Sequence, residues 1–226
     1  MRPTAALLAP LSAMIPTLAL ALAAAPPAAG AATQTATLAI AQPETATTGR
    51  LDVTSRAFDP DGPIPIMYAR QGKSISPPLT WGEHPPAHTK SFVMLAEDAD
   101  ALQTNRRGEV EPFTHWILFD MNSNASGLPR AVKVGPDPKN VAGAHQGRNA
   151  LGTLGYSGPT PPQADPAHHY HFEVFALDRM LKLAPGVDRA TVVRAMAGHV
   201  LAKGEMVGLY KYRPEKPEVP ALFPNG

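Results

Sequence analysis

Proline and glycine punctuate this chain so densely that regular elements are cut short: 26 prolines and 18 glycines make up close to a fifth of its 226 residues. Proline fixes φ and removes a backbone donor, while glycine admits turn conformations closed to other residues. The pattern implies many turns and a mainly β fold of short strands. The apolar runs between the turns fit that reading. Ser91–Ala96 has strand length and the composition of a strand buried on both faces. Phe113–Asp120 is a second such run, and His168–Asp178 a third. Leu51–Ser55 alternates as a first strand, and Met206–Tyr212 reads as a closing one. Residues 103–111 and 122–144 read as polar loops. One helix is predicted, with Asp188 as N-cap and Val192, Val193, Met196 and Val200 at helical spacing through Arg189–Lys203.

The ends differ from this middle. An Ala/Leu run from Ala5 to Ala25 is followed by small residues, and both Ala21-Leu22-Ala23 and Ala29-Gly30-Ala31 suit a signal peptidase. Residues 1–31 are therefore expected to be an export signal and the mature protein periplasmic or secreted. The rival is an anchor, since the run approaches the roughly 20 residues of a membrane span. Pro10 and Pro16 interrupt it, however, and no basic or aromatic belt follows. Residues 32–49 read as a flexible leader, 50–212 as one domain, and 213–226 as an extended proline-rich tail.

Absences narrow the chemistry. Without cysteine there is no disulfide, no lipid-modified cysteine and no thiol nucleophile. The net charge is +1 with scattered Lys and Arg, which gives nucleic acid no basic stripe. No phosphate-binding loop, dinucleotide fingerprint or zinc-protease motif is present, so no cofactor is expected. Gly155-Tyr156-Ser157-Gly158 is not a nucleophile elbow, because Pro159 stands where the second flanking glycine belongs.

Polar groups gather where apolar strands begin or end. A loop stiffened by Gly158, Pro159, Pro161 and Pro162 feeds the run at His168, and His168 and Tyr170 share one strand face. Asp98 shares a face with Phe92, Met94 and Ala96, with Asp100 just beyond; His115 is expected on the face of Ile117 and Phe119. In one sheet these groups can converge, imidazolium and phenol as donors to an oxyanion and the carboxylate orienting a histidine. Each also has an ordinary structural reading: a satisfied histidine, an Asx turn at 98–100, a core tyrosine. His169 and His171 form an H-x-H pair with no evident third metal ligand.

Six segments in order carry a family resemblance: Ser-Pro-Pro-Leu-Thr-Trp (76–81), Glu-Asp-Ala-Asp-Ala (97–101), Phe-Thr-His-Trp (113–116), Gly-Arg-Asn (147–149), Gly-Tyr-Ser-Gly-Pro-Thr-Pro-Pro (155–162) and His-His-Tyr-His-Phe (168–172). With residues 198–210, this resembles the phosphatidylethanolamine-binding protein family in its bacterial, Raf-kinase-inhibitor-like branch. The resemblance implies two antiparallel sheets, a few peripheral helices and a small pocket for phosphate-type groups such as a phospholipid headgroup. It carries pocket roles onto Asp98, Asp100, His115, Gly158, Pro159, His168 and Tyr170. Two departures stand out: Ala99 and Leu102 replace the family's prolines, and the 163–167 spacer is longer. The function expected is non-enzymatic binding of a small phosphate-like anion. A protein-interaction or inhibitor module supported by the tail is the alternative, and a hydrolase using Asp98 and a histidine a weaker one.

Overall fold

A computed structural model describes residues 36–82 and 84–214. The export-signal segment lies outside the described residues, as does the tail beyond Pro214. Eight strands and one α-helix follow in chain order: β1 (Gly62–Pro63), β2 (Leu79–Thr80), β3 (Ser91–Thr104), β4 (Val110–Asn122), β5 (Gly127–Leu128), β6 (His145–Gln146), β7 (His168–Leu177), α1 (Arg189–Met196) and β8 (Val200–Tyr210). Six of the strands form a central sheet in the order β1-β8-β7-β3-β4-β6, and β2 pairs with β5 in a small second sheet. All pairings are antiparallel except β1 with β8.

The long strands form where the apolar runs predicted them, and they extend further. The β3–β4 hairpin carries the ladder through Thr104 and Val110, which shortens the expected 103–111 loop to its tip. The Leu51–Ser55 strand is reduced to isolated bridges at Arg50 and Thr54. The predicted helix stops at Met196: Gly198 turns the chain at φ 76°, and Val200–Lys203 join β8 instead. Helical spacing continued past the glycine, but a left-handed residue ends the helix there.

Each face of the central sheet carries a core. On one face Phe92, Met94, Ala96, Trp116, Leu118, Phe172 and Val174 pack beneath Leu79 and Leu128 of the small sheet. On the other, Val93, Leu95, Ile117, Phe119 and Phe175 pack against Val192, Val193 and Met196 of α1. The runs are apolar at successive positions because both faces are covered.

Residues 36–49 are not the flexible leader expected of 32–49. Two 3₁₀ turns at Ala39–Ala41 and Pro43–Thr45 bury Ala39 and Thr45 against the sheet. The Ala39 amide donates to Glu97 Oε2 and the Ile40 amide to Glu173 Oε2, each at 3.0 Å. Arg189 completes this buried cluster by donating to both Glu97 oxygens and to the Thr37 carbonyl. Composition gave no sign of this docking, because the acceptors lie far along the chain.

Candidate functional site

The first-named face of the sheet ends in a polar cluster. Asp98 on β3 and Tyr170 on β7 are direct cross-strand partners, so their side chains stand on one face. His168, two residues before Tyr170, shares that face. His115 reaches it by a different route. In the β3–β4 ladder Ala96 opposes Trp116 but Glu97 opposes Thr114, so His115 is the extra residue of a β-bulge. Strand parity placed His115 with Ile117 and Phe119; the bulge reverses this and sends the ring to Tyr170, 5.2 Å away edge-on. Ile117 and Phe119 belong to the opposite core.

The four side chains are buried, each residue at most 4% exposed. His168 Nδ1 lies 2.9 Å from Asp98 Oδ2, and its Nε2 lies 3.3 Å from Asp165 Oδ2. A ring facing a carboxylate at both nitrogens can donate to both only as an imidazolium, the form these contacts favour. Burial opposes that charge, but the hydrogen bonds of Asp98 and Asp165 and the charges of Asp98 and Asp100 outweigh it and raise the His168 pKa. His115 is the opposite case. Its Nδ1 donates to the Ser157 carbonyl at 2.7 Å, its Nε2 stands 4.0 Å from Asp98 Oδ2, and burial lowers its pKa. Burial, then the Asp98 charge, pushes the Tyr170 phenol up, so it stays a neutral donor. Its hydroxyl is buried and, among the described residues, makes no hydrogen bond of ordinary geometry, although Asp98 stands near enough to raise its pKa.

Beside this cluster lies a cavity of about 200 Å³, walled by Asp98, His115, His168 and Tyr170 and by Ala101, Phe113 and Thr160-Pro161-Pro162. Asp100 does not enter it. The carboxylate turns away to accept from the His169 amide at 2.6 Å and to meet the His169 ring at 2.8 Å. Residues 99–101 bulge out of the ladder here, and Asp98 Oδ1 accepts from the Asp100 amide in an Asx turn. Gly158 and Pro159 lie behind the wall rather than in it. The Gly158 amide donates to Ser74 Oγ, the Pro159 carbonyl accepts from the Arg70 amide, and a Cβ on Gly158 would stand 2.3 Å from the Tyr68 oxygen. His169 and His171 pair separately with Asp100 and Glu205.

Comparison with known proteins identifies the family. Residues 54–211 match the family model for phosphatidylethanolamine-binding proteins. The chain belongs to that family. A UPF0098 protein of Methanothermobacter thermautotrophicus is 38% identical over 162 residues, 71% of this chain and 99% of the relative. One from Aquifex aeolicus is 40% identical over 162 residues, covering 71% and 88%. Among solved structures, a phosphatidylethanolamine-binding protein homolog from Chlamydia trachomatis is 34% identical with a TM-score of 0.62, over 74% of this chain and all of that one. Escherichia coli YbcL, described as a member of the mammalian phosphatidylethanolamine-binding protein family, is 27% identical with a TM-score of 0.63, over 73% and 100%.

Within the phosphatidylethanolamine-binding protein fold of this chain, the sequence reading missed Asp165 and the buried Glu97–Arg189 cluster. Asp165 carries no local signal beyond standing three residues before His168. The cluster did leave one: Glu173 is a charged residue inside the apolar run His168–Asp178, whereas Glu97 and Glu111 fall just outside the other runs. Glu173 Oε1 has no hydrogen-bond partner among the described residues, and burial followed by the Glu97 charge raises its pKa well above the usual carboxylate range.

Proposed function

We propose that this is an exported, non-catalytic binding protein that takes a phosphate-type anion, such as a phosphorylethanolamine headgroup, in the cavity beside Asp98. The observation that carries the reading is the convergence of four buried polar side chains on a cavity of headgroup size, one of them with an unspent hydroxyl. The His168 imidazolium supplies positive charge, and Tyr170 supplies a neutral donor. Asp98 orients His168 and holds its charge rather than meeting the anion. Export rests on the Ala5–Ala25 run and the small-residue sites that follow it.

A binding role fits better than a catalytic one. Both nitrogens of His168 are taken by carboxylates, and His115 spends Nδ1 on a carbonyl. His168 is therefore not placed to take a proton from water; of the two rings only His115 keeps a nitrogen for that, Nε2, 4.0 Å from Asp98 Oδ2. The test is a calorimetric titration of the processed protein with phosphate and with phosphorylethanolamine, close to the ordinary histidine pKa of about 6.5. Saturable binding that disappears in His168→Ala and Tyr170→Phe supports the reading. A folded protein that binds neither probe refutes it, and a protein partner then becomes the leading reading.

A further inference from the structure

A second cavity lies on the other side of the sheet, reached through Thr114 rather than its neighbour His115. It encloses about 460 Å³ between the tip of the β3–β4 hairpin, the 148–152 loop and the start of α1. That volume falls within the small-molecule range of about 300–1,000 Å³, and is more than twice that of the cavity at Asp98.

Arginines dominate its charge. Arg106 and Arg148 line the outer part, are exposed, and pair with no carboxylate among the described residues. Arg189 lies deeper, 3% exposed. Its Nε and Nη2 are spent on Glu97 and the Thr37 carbonyl, but Nη1 makes no hydrogen bond among the described residues. The one carboxylate oxygen within reach of Nη1 is Glu111 Oε2, at 3.9 Å. Nη1 is thus a donor left available at the cavity wall, and the guanidinium fork suits carboxylate or phosphate oxygens. The two acidic residues of the wall are already engaged. Glu111 accepts from Gln103 Nε2 at 2.9 Å and from Asn105 Nδ2 at 3.3 Å. Asp188 caps α1 through the Thr191 amide and stands 3.8 Å from Arg107. Arg189 is paired with Glu97, Arg107 stands near Asp188, and Glu111 keeps its charge beside Nη1, so the unpaired cations are Arg106 and Arg148 at the mouth.

We propose that this second cavity binds a small organic anion, carboxylate or phosphate, with Arg106 and Arg148 at its mouth and Arg189 Nη1 as its inner donor. It shares no wall residue with the cavity at Asp98, so it stands or falls independently of that one. The test is an amide NMR titration of the processed protein with inorganic phosphate and with citrate, at constant ionic strength. Saturable shifts are expected at Leu151, Gly152 and Gly186, retained in His168→Ala. Arg148→Glu and Arg106→Glu, both at exposed positions, should each weaken that response about tenfold or more, the loss expected for one charge-assisted contact; Arg106→Glu is the cleaner test, because Arg148 Nη1 also donates to the Gly152 carbonyl. Shifts that never saturate would overturn the proposal, as would a response unchanged in both charge reversals. Shifts lost in His168→Ala yet kept in Arg148→Glu would assign the anion to the first cavity alone, which also overturns it.

Discussion

Asp165 Oδ2 stands 3.3 Å from His168 Nε2, on the ring nitrogen opposite the one held by Asp98. It belongs to the 163–167 spacer that leads into β7, and its side chain is 43% exposed. Under the proposed function, this carboxylate sits where an incoming oxyanion would take its hydrogen bond. Asp165→Asn removes the competing charge. An exposed pair of this kind contributes up to about 1 kcal/mol, so phosphate binding should tighten by up to about fivefold. Calorimetry decides: weaker binding in the variant would mean that Asp165 helps the anion instead of competing with it.

The two buried histidines should titrate in opposite directions. His168 is raised above the ordinary value, so its stabilising contribution is complete below about 6.5 and is lost as pH rises through its folded-state pKa. His115 is lowered, so its contribution is present above about 6.5 and is lost as pH falls through its folded-state pKa. Imidazole proton shifts followed against pH should give a higher midpoint for His168 than for His115. Asp98→Asn should lower the His168 midpoint; an unchanged one would show that Asp98 does not hold the charge.

Arg189 joins α1, the sheet and the 36–45 segment through one side chain. Arg189→Met leaves Glu97 buried without its cation, a change that costs about 3–5 kcal/mol. For a domain of this size that corresponds to roughly 6–20 °C in melting temperature. Amide exchange at Ala39 and Ile40 should accelerate more than exchange in β7. Equal acceleration everywhere would mean that Arg189 supports the whole fold without specifically holding the segment.

Gly158 is required by space. An added Cβ would press on the backbone of Tyr68 and Ala69, and overpacking of this kind costs about 1–3 kcal/mol. Gly158→Ala should therefore lower the melting temperature, with anion affinity falling only as far as the 158–162 loop shifts. Normal stability combined with lost binding would restore Gly158 as a direct ligand contact.

The mainly β class, the three strongest strands and the order of the family motifs were legible in the sequence, because apolar runs and turn residues act locally. His168 and Tyr170 could be paired from period two alone, and Asp98 assigned to its face. Tertiary structure decided the rest. The bulge that turns His115 toward Tyr170 exists only in the register of β4 against β3, and parity counting along one strand cannot see it. Asp100 leaves the cavity for His169, and Gly158 serves packing against Tyr68, because their partners are distant in sequence. Residues 36–49 look featureless by composition, yet they dock, because the buried carboxylates of Glu97 and Glu173 need donors and the Ala39 and Ile40 amides supply them. Local composition determined which segments become strands; long-range hydrogen bonding and ladder register determined which side chains meet.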